Sequence, residues 1–343
     1  MEKRDLSGIL LLDKATGVTS NRALQQVKRL FGARKAGHTG TLDPLATGML
    51  PICFGEATKL SSFFLDSAKT YHAVARLGQV TNTADRDGEV IETHEIPVGL
   101  DVSSLERALQ GFKGQIEQIP PMYSALKHQG KRLHELARAG QVVERKPRSV
   151  NISHLELSCG GQHLDEQSFA ISVSCSKGTY IRTLVEDIGR ALGCGAHILE
   201  LRRTEVSPFF EAAMHRFSEL ESLAAAVDGR AAESNIDQLD RFLLPCGAGL
   251  DYLPQITLTE PEMGRFCHGN PVEVSLSRMS EVAADRIEHI SEPAEAQAHG
   301  QGLARVYRSD QHLAGIATLT DLAADTAAGD SICVLKPKRV LNL

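Results

Sequence analysis

The chain has 343 residues, 42% of them apolar, and a formal net charge of −6. That is enough for a large core and for two domains, but no stretch approaches the roughly 18 apolar residues of a membrane helix. Seven scattered cysteines without a Cys-x-x-Cys pair, and a Met1–Asp5 start without the features of a signal peptide, argue against a disulfide framework or a zinc site and predict a reducing, cytoplasmic setting.

In chain order, Gly8–Leu12 is a continuous apolar run that predicts a buried strand. Ser20 is placed to cap a helix in which Leu24, Val27, Leu30 and Phe31 recur at helical spacing, with Gly32 as its stop. Residues 36–48 follow no helical or strand period and read as a loop. A strand is expected near Met49–Phe54 and a helix near Thr58–Leu65. Tyr71, Ala73, Ala75 and Leu77 then alternate with His72, Val74 and Arg76, the pattern of a half-buried strand. Asp85-Arg86-Asp87-Gly88 is a turn before a partner strand at Val90–Thr93, Ser104–Leu109 is a helix, and Pro120-Pro121 breaks structure. Two strands, Val150–Leu157 and Phe169–Cys175, precede an amphipathic helix through Ile181, Leu184, Val185 and Ile188, and Ile198–Leu201 returns as a strand. Pro245, Gly247, Gly249 and Pro254 cluster like a linker. Beyond it Val272–Val274, Leu313–Thr318 and Ile332–Leu335 suggest a small β-rich domain, with Ala-rich 283–304 reading as a mobile loop. Strands and helices mix without strict alternation, so the expected class is α+β with a large mixed or antiparallel sheet, divided into 1–245 and 250–343.

The string Ala36-Gly37-His38-Thr39-Gly40-Thr41-Leu42-Asp43-Pro44-Leu45-Ala46-Thr47-Gly48 is the most informative part of the chain. Its glycines let a ligand approach the backbone, and Pro44 biases Asp43 away from helix. An Asp before Pro ordinarily closes a turn on its own backbone. Here the whole string, continued through Met49-Leu50-Pro51-Ile52-Cys53-Phe54-Gly55-Glu56-Ala57-Thr58-Lys59, resembles the signature loop of the tRNA pseudouridine-55 synthases, the TruB family of bacteria. That resemblance implies a pseudouridine synthase fold with a PUA-like C-terminal module, and Asp43 as catalytic nucleophile.

Cys175-Ser176-Lys177-Gly178-Thr179-Tyr180-Ile181-Arg182-Thr183-Leu184 is similar to the family's second signature. It implies that Arg182 pairs with Asp43, which suits a planar, always charged carboxylate partner. It also implies that Tyr180 faces the catalytic loop. Tyr71 in Lys69-Thr70-Tyr71 matches the family tyrosine that stacks on the target uracil, although its strand face alone would make it a core aromatic. By the same likeness Leu201 lines the uracil pocket, His38 contacts RNA, and Asp85 in Thr81-Asn82-Thr83-Ala84-Asp85 has a supporting role. Lys14 resembles the Lys of the family's D-K-P-x-G motif and counts among the RNA-binding candidates; Ala15 replaces the usual Pro, which leaves Lys14 available but its loop less rigidly held.

Charge is unevenly placed. Residues 1–209 hold 26 Lys+Arg against 23 Asp+Glu, and residues 210–343 hold 11 against 20. Lys127, Lys131, Arg132, Arg138, Arg145, Lys146 and Arg148, opposed only by Glu135 and Glu144, form a local basic stretch able to grip phosphates. It falls in a segment, about 120–150, that looks like the family's RNA-clasping insertion. The resemblance implies base flipping and covalent attack by Asp43 on the ribose or the uracil ring, splitting one hard step into two. It implies the T arm of tRNA as substrate, with no metal or other cofactor and no obligate protein partner. The competing reading is a non-catalytic RNA-binding or RNA-folding protein on the same scaffold, which could lose Asp43 or Arg182; both are present.

Overall fold

The computed structural model describes residues 3–158, 167–209, 214–225, 238–279, 302–321 and 332–343. Most of the expected mobile loop at 283–304 lies outside these residues. The strands are β1 (Gly8–Lys14), β2 (Ala36–His38), β3 (Thr47–Phe54), β4 (Lys69–Leu77), β5 (Gln79–Thr81), β6 (Val90–Thr93), β7 (Gly114–Gln118), β8 (Lys127–His128), β9 (Lys131–Arg132), β10 (Arg148–Leu157), β11 (Ser168–Cys175), β12 (Ala196–Val206), β13 (His215–Arg216), β14 (Gln255–Thr257), β15 (Val272–Ser275), β16 (Leu303–Tyr307), β17 (Leu313–Asp321) and β18 (Ile332–Val340).

Among the described residues, nine strands build one sheet in the order β13-β1-β3-β12-β4-β11-β10-β7, with β2 added to β3. The β1/β13 and β12/β3 pairs are parallel and the others antiparallel, so the sheet is mixed. A second sheet, β14-β16-β17-β18-β15, makes the β-rich C-terminal unit. The class is therefore α+β, as the sequence predicts. No helix among the described residues is long and apolar enough to cross a membrane.

Beyond the short α2 (Ser61–Leu65) that follows β3, one face of the large sheet is covered by α1 (Ser20–Leu30), α3 (Val102–Gln110) and α5 (Ile181–Ala191). Their apolar stripes, Ala23, Leu24 and Val27 on α1 and Ile181, Leu184, Val185 and Ile188 on α5, join Ala73, Ala75, Leu77, Ile198 and Leu201 in a single core. A second core lies behind β1 and β3 and includes Ile9, Leu11, Met49 and Cys53 together with Leu313, Ile316 and Leu341 of the C-terminal sheet. Cys246, Leu250 and Leu253 belong to it as well, and Ile9 exchanges backbone hydrogen bonds with Leu244. The stretch expected as a linker is thus a packed strap, because its apolar residues are spaced to reach a core that the Gly and Pro count conceals.

Two further expectations change. Thr19, not Ser20, caps α1, accepting from the Arg22 amide at 3.2 Å. Within the glycine-rich string, Ala36–His38 is extended and pairs with β3, so part of the expected loop is a short edge strand. Gly48 is where a side chain is forbidden: φ is +97°, and a Cβ would sit 2.1 Å from the carbonyl oxygen of Arg203. That contact fixes β3 against β12 directly beside Asp43's loop.

Candidate active site

Asp43 leaves the sheet on a loop pinned at several points. Leu42, Leu45 and Ala46 are buried, each leucine contributing about 1.5–3 kcal/mol of burial. Ser20 Oγ donates to the Leu42 carbonyl at 2.9 Å and accepts from the Leu42 amide at 2.8 Å, so the residue expected to cap α1 anchors this loop instead. The Gly17 amide donates to the Pro44 carbonyl at 2.7 Å, and Thr16 Oγ1 donates to the Leu45 carbonyl at 3.0 Å. The turn is closed by the Asp43 carbonyl, which accepts from the Ala46 amide at 3.1 Å. That leaves the carboxylate to reach outward, with 35% of its side chain exposed.

Its partner is Arg182, whose Nε lies 2.9 Å from Asp43 Oδ2. The guanidinium side chain is only 4% exposed and is hydrogen-bonded through both terminal nitrogens, while Nε meets Asp43 as an ion pair without hydrogen-bond geometry. Nη1 donates to the Thr83 carbonyl at 2.9 Å and faces Asp85 Oδ2 at 3.5 Å, while Nη2 donates to the Tyr123 carbonyl at 2.7 Å. Three chain regions far apart in sequence therefore converge on one cation. Asp85 is buried and accepts from Thr83 Oγ1 at 2.6 Å and from the Asp87 amide at 3.1 Å; burial pushes its pKa up, opposed by these hydrogen bonds and by Arg182. The supporting acid of the sequence reading thus sits on the far side of Arg182 from Asp43.

Gln118, 2% exposed, holds the backbone two residues before Arg182. Its Oε1 accepts from the Tyr180 amide at 3.0 Å and its Nε2 donates to the Tyr180 carbonyl at 3.2 Å, fixing the start of α5. No sequence motif pointed to it. The Tyr180 ring is half-buried, and burial raises its phenol pKa.

Tyr71 lies opposite Arg203 on β12 and Val173 on β11, and Ala73 lies opposite Leu201. Tyr71, Ala73, Leu201 and Arg203 therefore share one sheet face. Tyr71 packs on the edge of the core without being closed into it, and Leu201 is 6% exposed beside it. His38 is half-buried; its Nδ1 is buried and has no hydrogen-bond partner among the described residues. Burial, with a smaller contribution from Arg203, lowers its pKa, so the ring is a neutral group able to meet a ligand.

Lys14 corrects an expectation. It is 1% exposed, and its Nζ donates to the carbonyls of Ala15 at 2.8 Å, Val18 at 2.7 Å and Pro44 at 3.3 Å. Burial pushes its pKa down to about 8, partly offset by Asp43. It is a buried brace between its own turn and the Asp43 loop, not a group presented to RNA, and it supplies rigidity where Ala15 replaces proline. Among the described residues no three His, Cys, Asp or Glu side chains come together as a metal site.

The 120–150 segment folds as a β8–β9 hairpin followed by α4 (Leu133–Arg138). Leu133 and Leu136 are buried beneath it, while Lys127, Lys131, Arg132, Arg138, Lys146 and Arg148 are exposed. Its root is tied to the site through the Tyr123 carbonyl on Arg182. RNA affinity is expected to fall steeply with salt, and Lys131→Ala with Arg132→Ala should flatten the log–log slope by up to about 2 units. A filter-binding titration giving the same slope for the double variant would put the phosphate contacts elsewhere.

Known proteins match the chain along most of its length. The TruB family pseudouridylate synthase N-terminal domain matches residues 28–181, the tRNA pseudouridylate synthase B C-terminal domain 182–251, and the pseudouridine synthase II TruB C-terminal domain 254–341. A tRNA pseudouridine synthase B of Chromohalobacter salexigens is 47% identical over 338 residues, covering 98% of this chain and 95% of that protein. One from Pseudomonas syringae pv. syringae is 54% identical over 271 residues, 79% of this chain and 84% of that protein. Among solved structures, a Cbf5-Nop10-Gar1 complex aligns with a TM-score of 0.66 at 22% identity, covering 97% of this chain and 84% of the matched one; the likeness is one of fold.

Proposed function

This chain belongs to the TruB family of pseudouridine synthases, and from that membership we propose that it converts uridine to pseudouridine at position 55, in the T loop of tRNA. The observation that carries the reading is the half-exposed Asp43 carboxylate held 2.9 Å from an otherwise enclosed Arg182. The reaction breaks the glycosidic bond to uracil N1, turns the base and makes a bond from the same ribose carbon to C5. The hydrogen lost from C5 is balanced by one gained at N1, so the net change is an isomerisation. Asp43 supplies the covalent attack, and Arg182 aims the carboxylate while leaving one oxygen open towards the substrate.

A uracil stacked in an RNA loop must first be extruded, at a cost of a few kcal/mol. Stacking on Tyr71, worth about 1–3 kcal/mol per base, offsets most of it. Leu201 forms the apolar floor beside Tyr71, Tyr180 closes the opposite wall, and the accessible part of the neutral His38 ring meets the displaced loop. The exposed cations of residues 127–148 hold phosphates, and the C-terminal sheet adds RNA contacts, with the catalytic part ending near 245 and the RNA-binding part beginning near 250. The enzyme acts in the cytoplasm as a monomer without an obligate protein partner. The tRNA substrate is supported by the relatives at 47% and 54% identity, which are named tRNA pseudouridine synthase B.

Since the Asp43 loop, the basic hairpin and the strand-borne Tyr71 and Leu201 make up the proposed RNA face, an isolated T-arm stem-loop should be a substrate. The expected result is stoichiometric pseudouridine in that stem-loop. Modification of intact tRNA only would mean that another surface reads distant structure.

A further inference from the structure

Gln118 closes β7 at the point where the basic segment leaves the large sheet, and its side chain is all but shut off from solvent, 2% exposed. It lies opposite Arg148, the first residue of β10, so residues 119–147 depart from and return to this one cross-strand pair. Arg145 latches the two sides of that neck, its Nη1 donating to the Pro120 carbonyl at 3.2 Å. A buried primary amide needs a partner at each end. Both partners of Gln118 belong to one residue: Oε1 accepts from the Tyr180 amide and Nε2 donates to the Tyr180 carbonyl, at 3.0 and 3.2 Å. Gln115, on the same strand, shows the ordinary alternative, an exposed amide that donates to Ser149 Oγ at 2.8 Å.

Tyr180 stands at the N-cap of α5 with φ −101° and ψ 107°, and its side chain makes no capping bond. Gln118 supplies from another strand the anchor that this helix start lacks locally. The bonded carbonyl is also the acceptor of the first helical bond, from the Leu184 amide at 3.0 Å. Arg182 is the second residue of the helix so anchored. A further tie runs the same way, since the carbonyl of Tyr123, on the outgoing arm of the neck, accepts from Arg182 Nη2 at 2.7 Å. Resting on the proposed function above, we propose that Gln118 is a positioning residue for the reaction: it joins the root of the phosphate-gripping segment to the first turn of α5, so that gripped RNA and the Arg182–Asp43 pair keep one register. Gln118 acts through Arg182, not on the substrate.

Gln118→Met keeps the length of the side chain and removes both bonds. In the full chain the single-turnover rate on tRNA should fall about 30-fold with affinity within about threefold of wild type, because a small misplacement of Arg182 costs rate while the exposed cations are untouched. In an Arg182→Lys background the same change should cost less than about threefold, since the path runs through Arg182. Gln118→Glu should regain rate relative to wild type as pH falls, because the protonated acid again offers an acceptor and a donor, whereas the carboxylate has no hydrogen for the Tyr180 carbonyl. A rate that falls only as far as affinity, an equal loss in both backgrounds, or a Gln118→Glu deficit that ignores pH overturns the proposal. Should Gln118→Met fail to fold, the Gln118→Glu pH series, read within one variant, decides it. The anchor is also read without RNA, by hydrogen exchange: the Tyr180 amide should exchange at least about 10-fold faster in Gln118→Met, and unchanged exchange overturns the proposal as well. A wild-type chain that makes no pseudouridine would refute the proposed function, while Tyr180 exchange judges this contact separately.

Discussion

Asp43→Asn should lower the single-turnover rate by at least about 10⁴-fold while leaving tRNA affinity within about threefold of wild type. The separation follows from how the loop is held. Its position depends on Ser20, Lys14, Thr16 and Gly17 acting on the backbone of Leu42, Pro44 and Leu45, and none of those bonds uses the Asp43 carboxylate. Asparagine has nearly the same shape, and the loop's backbone bonds do not depend on the charge, so the fold and the RNA-facing surface persist. What disappears is the anionic nucleophile. Rate is read by single-turnover assay and affinity by filter binding. Pseudouridine formation by Asp43→Asn at a tenth of the wild-type rate would remove Asp43 from the covalent step.

Arg182→Lys should reduce the rate by about 100-fold or more and also destabilise the protein. A lysine nitrogen cannot span Asp43 Oδ2, the Thr83 carbonyl, the Tyr123 carbonyl and Asp85, which the guanidinium faces simultaneously. Each carbonyl or carboxylate left buried without a partner costs about 1–3 kcal/mol. The Tyr123 contact ties the basic hairpin to the site, so affinity should fall too, by less than the rate. Thermal unfolding, single-turnover rate and binding measured on the same preparation separate the three effects. Wild-type rate in Arg182→Lys would show that the charge alone suffices and that the fork geometry is dispensable.

The sequence carried the site unevenly, for physical reasons. Asp43 and Arg182 stand in strings whose glycines and proline break any helical or strand period, so a loop built for a ligand is visible there, and the structure brings the two into contact. Tyr71 was marked only by its motif, since its strand face reads equally well as core. Arg203 was hidden because it stands in a doublet: Arg202 and Arg203 look alike until strand alternation sends one to Asp13 and the other into the core. Lys14 reads as an RNA-binding candidate from its motif alone, while a buried ammonium needs several acceptors, and the three carbonyls that supply them come from turns no periodicity reveals. Thr19 and Ser20 are both good caps, so the pair could not be told apart without knowing that Leu42 needed a partner. Most long strands of the large sheet were legible from apolar runs. The short ones, β2 and β13, were not, since three- and two-residue strands take their register from neighbours rather than from a pattern.

The central claim, that this chain makes pseudouridine at one site in the T loop, is tested most directly by mass-spectrometric mapping. Unmodified tRNA would be incubated with the purified chain, derivatised to tag pseudouridine, and cut into fragments. The account predicts a single new pseudouridine, at position 55, approaching one per tRNA, and none with Asp43→Asn. Tight binding of tRNA with no pseudouridine at position 55 would contradict it and favour an RNA-binding protein that keeps the scaffold without the reaction.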